Sequence, residues 1–273
     1  MKGAEIRTRL RQGQTVYGTA IISQSSLWPA FLASTGLDFV FVDTEHTALG
    51  RESVNRICQS YKAVGLSPIV RIPSPDPYQA TMVLDGGASG IIAPYIESPE
   101  QVRQLVGAVK YKPLKGDKLK NFLNGEQALE DDLLTYLDKS NANNVLIVNI
   151  ESRPALDVLD EILSVEGLDG ILVGPHDLSC SLGIPEQYHH PLFVQEIETL
   201  IRKARSKNVG VGIHVWDDVG FEQEIKWAQM GANLIVHSND LSLLASLLRT
   251  NLGKIKKTLG EESSGGTATD HVI

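Results

Sequence analysis

Cysteine is scarce in this chain: Cys58 and Cys180 are the two among 273 residues, far apart and in no CxxC pattern. A disulfide framework is therefore unsupported, and the pair fits a reduced, cytoplasmic protein with buried thiols. Long apolar runs are also missing. No stretch approaches the roughly 18 residues of a membrane-spanning helix. The N-terminal MKGAEIRTRLRQGQ lacks the apolar segment of a signal peptide and reads as a short surface helix. Basic charge is in deficit, with 25 Lys and Arg against 33 Asp and Glu, a net charge of -8. With no basic patch or run, nucleic acid and anionic membrane surfaces are not expected partners. The acidic balance means solubility and names no partner.

What is present is a large core, 42% hydrophobic by residue, and a repeating pattern. Short β-branched runs end in polar or glycine residues at 15–21, 38–43, 67–72, 89–94, 144–150, 169–174, 209–215 and 233–237. They are nearly continuous apolar runs, as in parallel strands covered on both faces. Amphipathic stretches such as RESVNRICQSYKAVG and SPEQVRQLVGAVK separate them, several closed by glycine or asparagine. Eight strands alternating with helices predict an α/β fold, a (β/α)8 (TIM) barrel, over residues 1–258, with 259–273 a disordered tail. An open doubly wound sheet is the alternative. No GxGxxG follows the first strand, so a dinucleotide site is unsupported. Residues 111–143, between the fourth and fifth strands, are too long for a simple connection and suggest a lid or an interface element.

Active sites of such barrels form at the C-terminal ends of the strands. Those ends carry Asp43, Glu45 and His46; Arg71; Pro94; Glu151, Ser152 and Arg153; His176 and Asp177; His214 and Trp216; and His237 to Asp240. Each has a plainer reading. A strand-terminal acid such as Asp43 or Asp177 caps the next helix as readily, a lone histidine is commonly structural, and Arg153 can pair with Asp157 one turn on. The combination carries more. Glu151 and Asp177 leave adjacent strands, and two carboxylates with positions left for water suit Mg²⁺ or Mn²⁺.

At this point the chain resembles the metal-dependent (class II) pyruvate aldolases of the HpcH/HpaI family, which includes 4-hydroxy-2-oxoheptanedioate and 2-dehydro-3-deoxyglucarate aldolases. The resemblance rests on FVFVDTEH, PIVRIP, LDGGASGIIAPYIESPEQ, NIESRPALDVLDEILSVEGLDGILVGPHDLSCSLG and GANLIVHSND, and spans residues 4–255. It implies that Glu151 and Asp177 hold a divalent metal, Mg²⁺ or Mn²⁺ with Co²⁺ or Zn²⁺ as alternatives. Arg71 would contact the ketone oxygen of a 2-oxo acid. His46, oriented by Asp43, would be the acid–base group. Gly174, Pro175 and the amide of His176 would line the carboxylate end, and Asp85 would reach a neighbouring subunit's site. The reaction implied is cleavage of a 4-hydroxy-2-oxo acid to pyruvate and an aldehyde, in a homohexamer built as trimers of dimers that exchange a C-terminal helix.

The chain departs from the family pattern in three places. Ala20 stands where relatives often have tryptophan near the pocket. YKPLKGDKLKNFLNG replaces an Arg-Gly-rich loop, so Lys115, Lys118 or Lys120 would stand in for arginine. His176, His214 and Trp216 replace small or apolar residues and would contact the aldehyde half, or form a polar rim. Two other readings remain: a CoA-thioester lyase of the citryl or malyl type, and a barrel that only binds.

Overall fold

The computed structural model describes residues 1–215 and 220–261. Trp216 and most of the expected tail lie outside them. Eight parallel strands close a barrel in sequence order: β1 Val16–Ile21, β2 Phe39–Asp43, β3 Ser67–Arg71, β4 Gly90–Ala93, β5 Val145–Asn149, β6 Gly170–Val173, β7 Gly210–Val215 and β8 Leu234–Asn239. Each pairs with the next, and β8 returns to β1, with Val16 opposite Leu234. The helices among the described residues are α1 Gly3–Arg11, α2 Trp28–Leu32, α3 Arg51–Ala63, α4 Pro77–Asp85, α5 Pro99–Lys110, α6 Gly116–Leu123, α7 Asp131–Asn141, α8 Arg153–Asp157, α9 Leu159–Leu163, α10 Pro175–Ser181, α11 Pro191–Ser206, α12 Phe221–Gln229 and α13 Asp240–Leu259.

The period of two along each strand divides the core. Phe39, Phe41, Ile69, Ile92, Val145, Ile147, Leu172, Leu234 and Val236 fill the inside of the barrel. Their neighbours Val40, Val42, Val70, Ile91, Val148 and Ile171 meet the surrounding helices. The same parity carries Asp43 inward after Phe41, Arg71 after Ile69 and Asn149 after Ile147, so polar groups end the inner core at the C-terminal rim.

The N-terminal segment is not a surface helix. Ile6 and Leu10 of α1 are fully buried in the inner core. They close the N-terminal end of the barrel, where glycines make room: a Cβ on Gly210 would stand 2.7 Å from Leu10. A stripe of two apolar residues in a charged segment hides this role. Charge also fixes the plug. Asp169, fully buried, accepts from Arg7 at 3.1 Å, Arg11 at 3.3 Å and the Leu146 N–H at 2.9 Å, and it also binds the Lys110 ammonium. Lys110 donates to the Asn144 carbonyl at 2.6 Å as well. Burial, then Arg7 and Arg11, push its ammonium down to about 8 against the pull of Asp169.

Residues 111–143 contain α6 and α7. They leave the end of α5 and lead into the start of β5, which places them at the N-terminal end of the barrel, with Leu119 and Leu123 beside Gly107. They form no lid over the chain's own strand ends. Lys118 is held there by Glu130 at 2.7 Å. Of the thiols, Cys58 is buried and Cys180 is exposed, against the expectation for the second. The last helix, α13, buries only Asp240 and exposes Leu241, Leu244, Leu248, Leu252, Ile255 and Leu259 along one side. It continues one residue past the expected domain boundary at 258.

Candidate active site

Arg71 is the centre of the rim. It is 7% exposed and grips Asp43 with two parallel bonds, Nε to Oδ1 and Nη2 to Oδ2, each 2.8 Å. Its face lies over the Phe41 ring, 5.1 Å from the centroid. Burial alone would raise the Asp43 carboxyl, but the bonds and charge of Arg71 outweigh it and hold the group below its ordinary value. Asp43 also accepts from the Glu45 N–H at 3.0 Å. The fork therefore goes to the arginine. The carboxylate nearest His46 is that of Glu45, with Oε2 3.8 Å from Nε2. That oxygen lies 3.1 Å from Arg71 Nη1, yet it is enclosed and has no hydrogen bond of good geometry. His46 itself is half exposed.

Opposite stand Glu151 and Asp177. A Cβ built on Gly174 would lie 3.2 Å from Glu151 Oε2 and 3.3 Å from Asp177 Oδ2. Both carboxylates thus converge on one point, and only glycine leaves it open. Burial raises the Glu151 carboxyl above its ordinary value, and the charges of Asp177 and Glu45 add to the rise. Two donors hold it in place: the Tyr95 N–H to Oε1 at 2.9 Å and Asn149 Nδ2 to Oε2 at 2.9 Å. Asn149 is buried, and its Oδ1 has no partner.

Tyr95 follows β4 with φ of 55°, a left-handed conformation that costs a residue other than glycine on the order of 1–3 kcal/mol. That turn aims its N–H at Glu151. Interaction with the Glu45 carboxylate, then partial burial and the charges of Glu45, Glu151 and Asp177, push its phenol up to about 12. Sequence reasoning missed Tyr95 and Asn149. Tyr95 depends on a φ that no pattern announces, whereas Asn149 was within reach as the single polar side chain ending an inward-facing apolar row.

The remaining candidates divide. Gly174 caps α10, and Pro175 begins it. The His176 ring turns away toward Glu186 at 3.7 Å and Cys180 Sγ at 4.0 Å. His214 lies inside the barrel, edge-on to Phe41 at 5.2 Å. Burial, then Arg71, push it down to about 3, so it is a neutral imidazole beneath the site. Ala20 is 1% exposed and packs in the inner core, so it opens no space at the mouth. Asp85 ends α4 at the other end of the barrel, paired with Lys112 at 2.6 Å. Arg153 takes its plainer role, bonding Asp157 at 3.1 Å.

Residues 23–242 match the HpcH/HpaI aldolase/citrate lyase family. The chain is 32% identical over 251 residues to the 2-keto-3-deoxy-L-rhamnonate aldolase of Escherichia coli O17:K52:H18 (strain UMN026 / ExPEC), covering 92% of each. It is 31% identical to the protein of that name from Salmonella gallinarum (strain 287/91 / NCTC 13346), covering 90% of this chain and 91% of that one. Among solved structures, the HpcH/HpaI aldolase of Desulfitobacterium hafniense DCB-2 superposes with a TM-score of 0.77 at 27% identity, over 92% and 96% of the two chains. The citrate synthase SbnG gives 0.78 at 28% identity, over 93% and 98%. With a barrel closed in this order, a rim of this kind and matches along nearly the whole length, the chain is an aldolase-type lyase and belongs to the HpcH/HpaI aldolase/citrate lyase family.

Proposed function

We propose that the chain cleaves a 4-hydroxy-2-oxo acid to pyruvate, or a related 2-oxo acid, and an aldehyde, using a divalent cation held by Glu151 and Asp177. The observation that carries this is the convergence of those two carboxylates on the open point at Gly174. Among the described residues no group of three or more His, Cys, Asp or Glu could hold a metal ion, so the site proposed is a pair. An oxygen pair with open positions suits Mg²⁺ or Mn²⁺ and leaves room for water and a bidentate 2-oxo acid. Burial raises the Glu151 carboxyl, and the charges of Asp177 and Glu45 add to the rise, which fits a site that would take up a cation. When bound, the cation supplies Lewis acidity to the carboxylate and ketone oxygens of the substrate.

The side chains supply the rest. Two of the five Arg71 N–H groups serve Asp43, Nη1 stands 3.1 Å from Glu45, and the N–H groups that remain meet negative charge developing on the ketone oxygen. Asp43 thus fixes the plane of the guanidinium. His46 takes the C4 hydroxyl proton as the C3–C4 bond breaks, and it returns that proton to C3 to complete the pyruvate methyl group. The rhamnonate aldolase relatives point to 2-oxo-3-deoxy sugar acids as the substrate class. The apolar side of α13 favours a homo-oligomer in which a second copy covers it, and Asp85 is assigned to a neighbouring copy's site. Two structures described as citrate lyases share 12% and 16% identity with the chain, which supports the fold alone and does not favour the thioester reading.

The test is exchange of the pyruvate C3 protons in D₂O, followed by NMR after chelation and after adding back Mg²⁺ or Mn²⁺. Cation-dependent exchange that collapses in Glu151→Gln is the expected result. No exchange with any cation in a folded protein overturns the reading.

A further inference from the structure

The loop that carries Glu151 is stitched to the loop after β4 at two points. Glu151 Oε1 accepts the Tyr95 N–H at 2.9 Å. The next residue, Ser152, donates its hydroxyl to Glu97 Oε1 at 2.8 Å. The first stitch uses φ of 55° at Tyr95, a conformation that a tyrosine does not keep without help. One side chain supplies the help. Gln101 Nε2 donates to the Tyr95 carbonyl at 3.3 Å. Its Oε1 accepts the Glu97 N–H at 2.8 Å, the Ser98 N–H at 3.0 Å and Ser98 Oγ at 3.3 Å. Two N–H donors at one atom fix which way the amide faces. The oxygen half is a capping box: Gln101 is the third residue of α5, and its own N–H returns to Ser98 Oγ at 3.3 Å. Glutamate serves that half equally well. The nitrogen half is additional, and a carboxylate cannot supply it.

We propose that Gln101 is a positioning residue for the cation ligand Glu151 and acts through the left-handed peptide of Tyr95. The inference rests on the cation site proposed above. With the Tyr95 carbonyl held, the peptide stays turned and its N–H keeps Glu151 Oε1 engaged. Oε2, braced by Asn149 at 2.9 Å, is then the oxygen that faces the point at Gly174. Without the Gln101 donor, Tyr95 relaxes toward negative φ and its N–H swings away. A buried carboxylate then loses one of the two donors that place it. Glycine populates positive φ readily, so a glycine at position 95 depends less on Gln101.

The test uses the full chain, Gln101→Glu and the double variant Gln101→Glu/Tyr95→Gly. Mn²⁺ affinity is measured by direct titration, and pyruvate C3 exchange is measured against Mn²⁺ concentration. Gln101→Glu keeps the capping box, so the helix and the fold are expected to be retained. Its Mn²⁺ affinity is expected to fall about tenfold, the worth of one hydrogen bond to a carboxylate. The direction is informative, because the added negative charge by itself strengthens cation binding. Exchange is expected to fall at low Mn²⁺ and to recover as Mn²⁺ saturates. The double variant is expected to bind Mn²⁺ more tightly than Gln101→Glu, a rescue that a role confined to helix capping does not give. Unchanged or tighter Mn²⁺ binding by Gln101→Glu, beside normal binding and exchange by the parent protein, overturns this proposal alone. A loss that the double variant does not relieve also overturns it, and so does exchange that stays low at saturating Mn²⁺. Mn²⁺ binding by the parent without pyruvate exchange overturns the aldolase reading and leaves this inference standing. Absence of Mn²⁺ binding by the parent overturns both.

Discussion

The two ends of the barrel both gather charge, with opposite imbalance. At the N-terminal end one carboxylate, Asp169, faces Arg7, Arg11 and Lys110. At the C-terminal rim Asp43, Glu45, Glu151 and Asp177 gather around one buried cation among the described residues, Arg71. The first cluster closes on itself. Both Asp169 oxygens are bonded, the arginines reach partly into water, and burial weakens the lysine ammonium. The second stays open, with an unbonded Glu45 oxygen, an unbonded Asn149 oxygen and a carboxylate whose proton affinity is raised. Surplus charge with every group satisfied is a fastener, whereas surplus charge with open acceptors is a receptor for something positive.

This contrast can be broken at either end. The largest effect is expected from Asp169→Ala, which strands three cations at the plug and should cost about 3–5 kcal/mol in urea unfolding, with exchange activity per folded molecule retained. Next comes Arg71→Lys, where an ammonium cannot reproduce the fork. Pyruvate exchange should fall about a hundredfold, with less loss of stability than at Asp169.

A smaller effect sharpens the receptor side. The Glu151 carboxyl is raised, so above its ordinary value the folded state binds more protons than the unfolded one, and stability falls as pH rises through that window. At neutral pH, Mn²⁺ at a hundred times its Kd should restore about 5 °C of Tm by differential scanning fluorimetry. Both the pH slope and the cation response should vanish in Glu151→Gln. The smallest is Asp85→Ala, whose exposed pair with Lys112 is worth under about 1 kcal/mol. A loss of exchange without a loss of stability would mark its service to a neighbouring copy.

The barrel was legible because its signal is repeated eight times, and each expected strand lies within about two residues of the observed one. The identity of the rim residues followed from position alone, since a strand end must point at the rim. Their partnerships did not follow. Whether Asp43 serves His46 or Arg71 depends on the inward parity of β3 and the length of the guanidinium arm, and both choices are compatible with the same letters. The plug was hidden for a different reason: Ile6 and Leu10 are a weak stripe locally, and their burial is created by strands far along the chain.

That plug has a temporal consequence. Leu10 offers its carbonyl to Arg205 at 2.9 Å and Asn233 at 3.0 Å, and Arg7 reaches Asp169. Helix α1 can therefore dock only after nearly every strand has been synthesised. During translation α1 is made before all eight strands and is among the last segments placed, so seating it reports that the barrel behind it has closed.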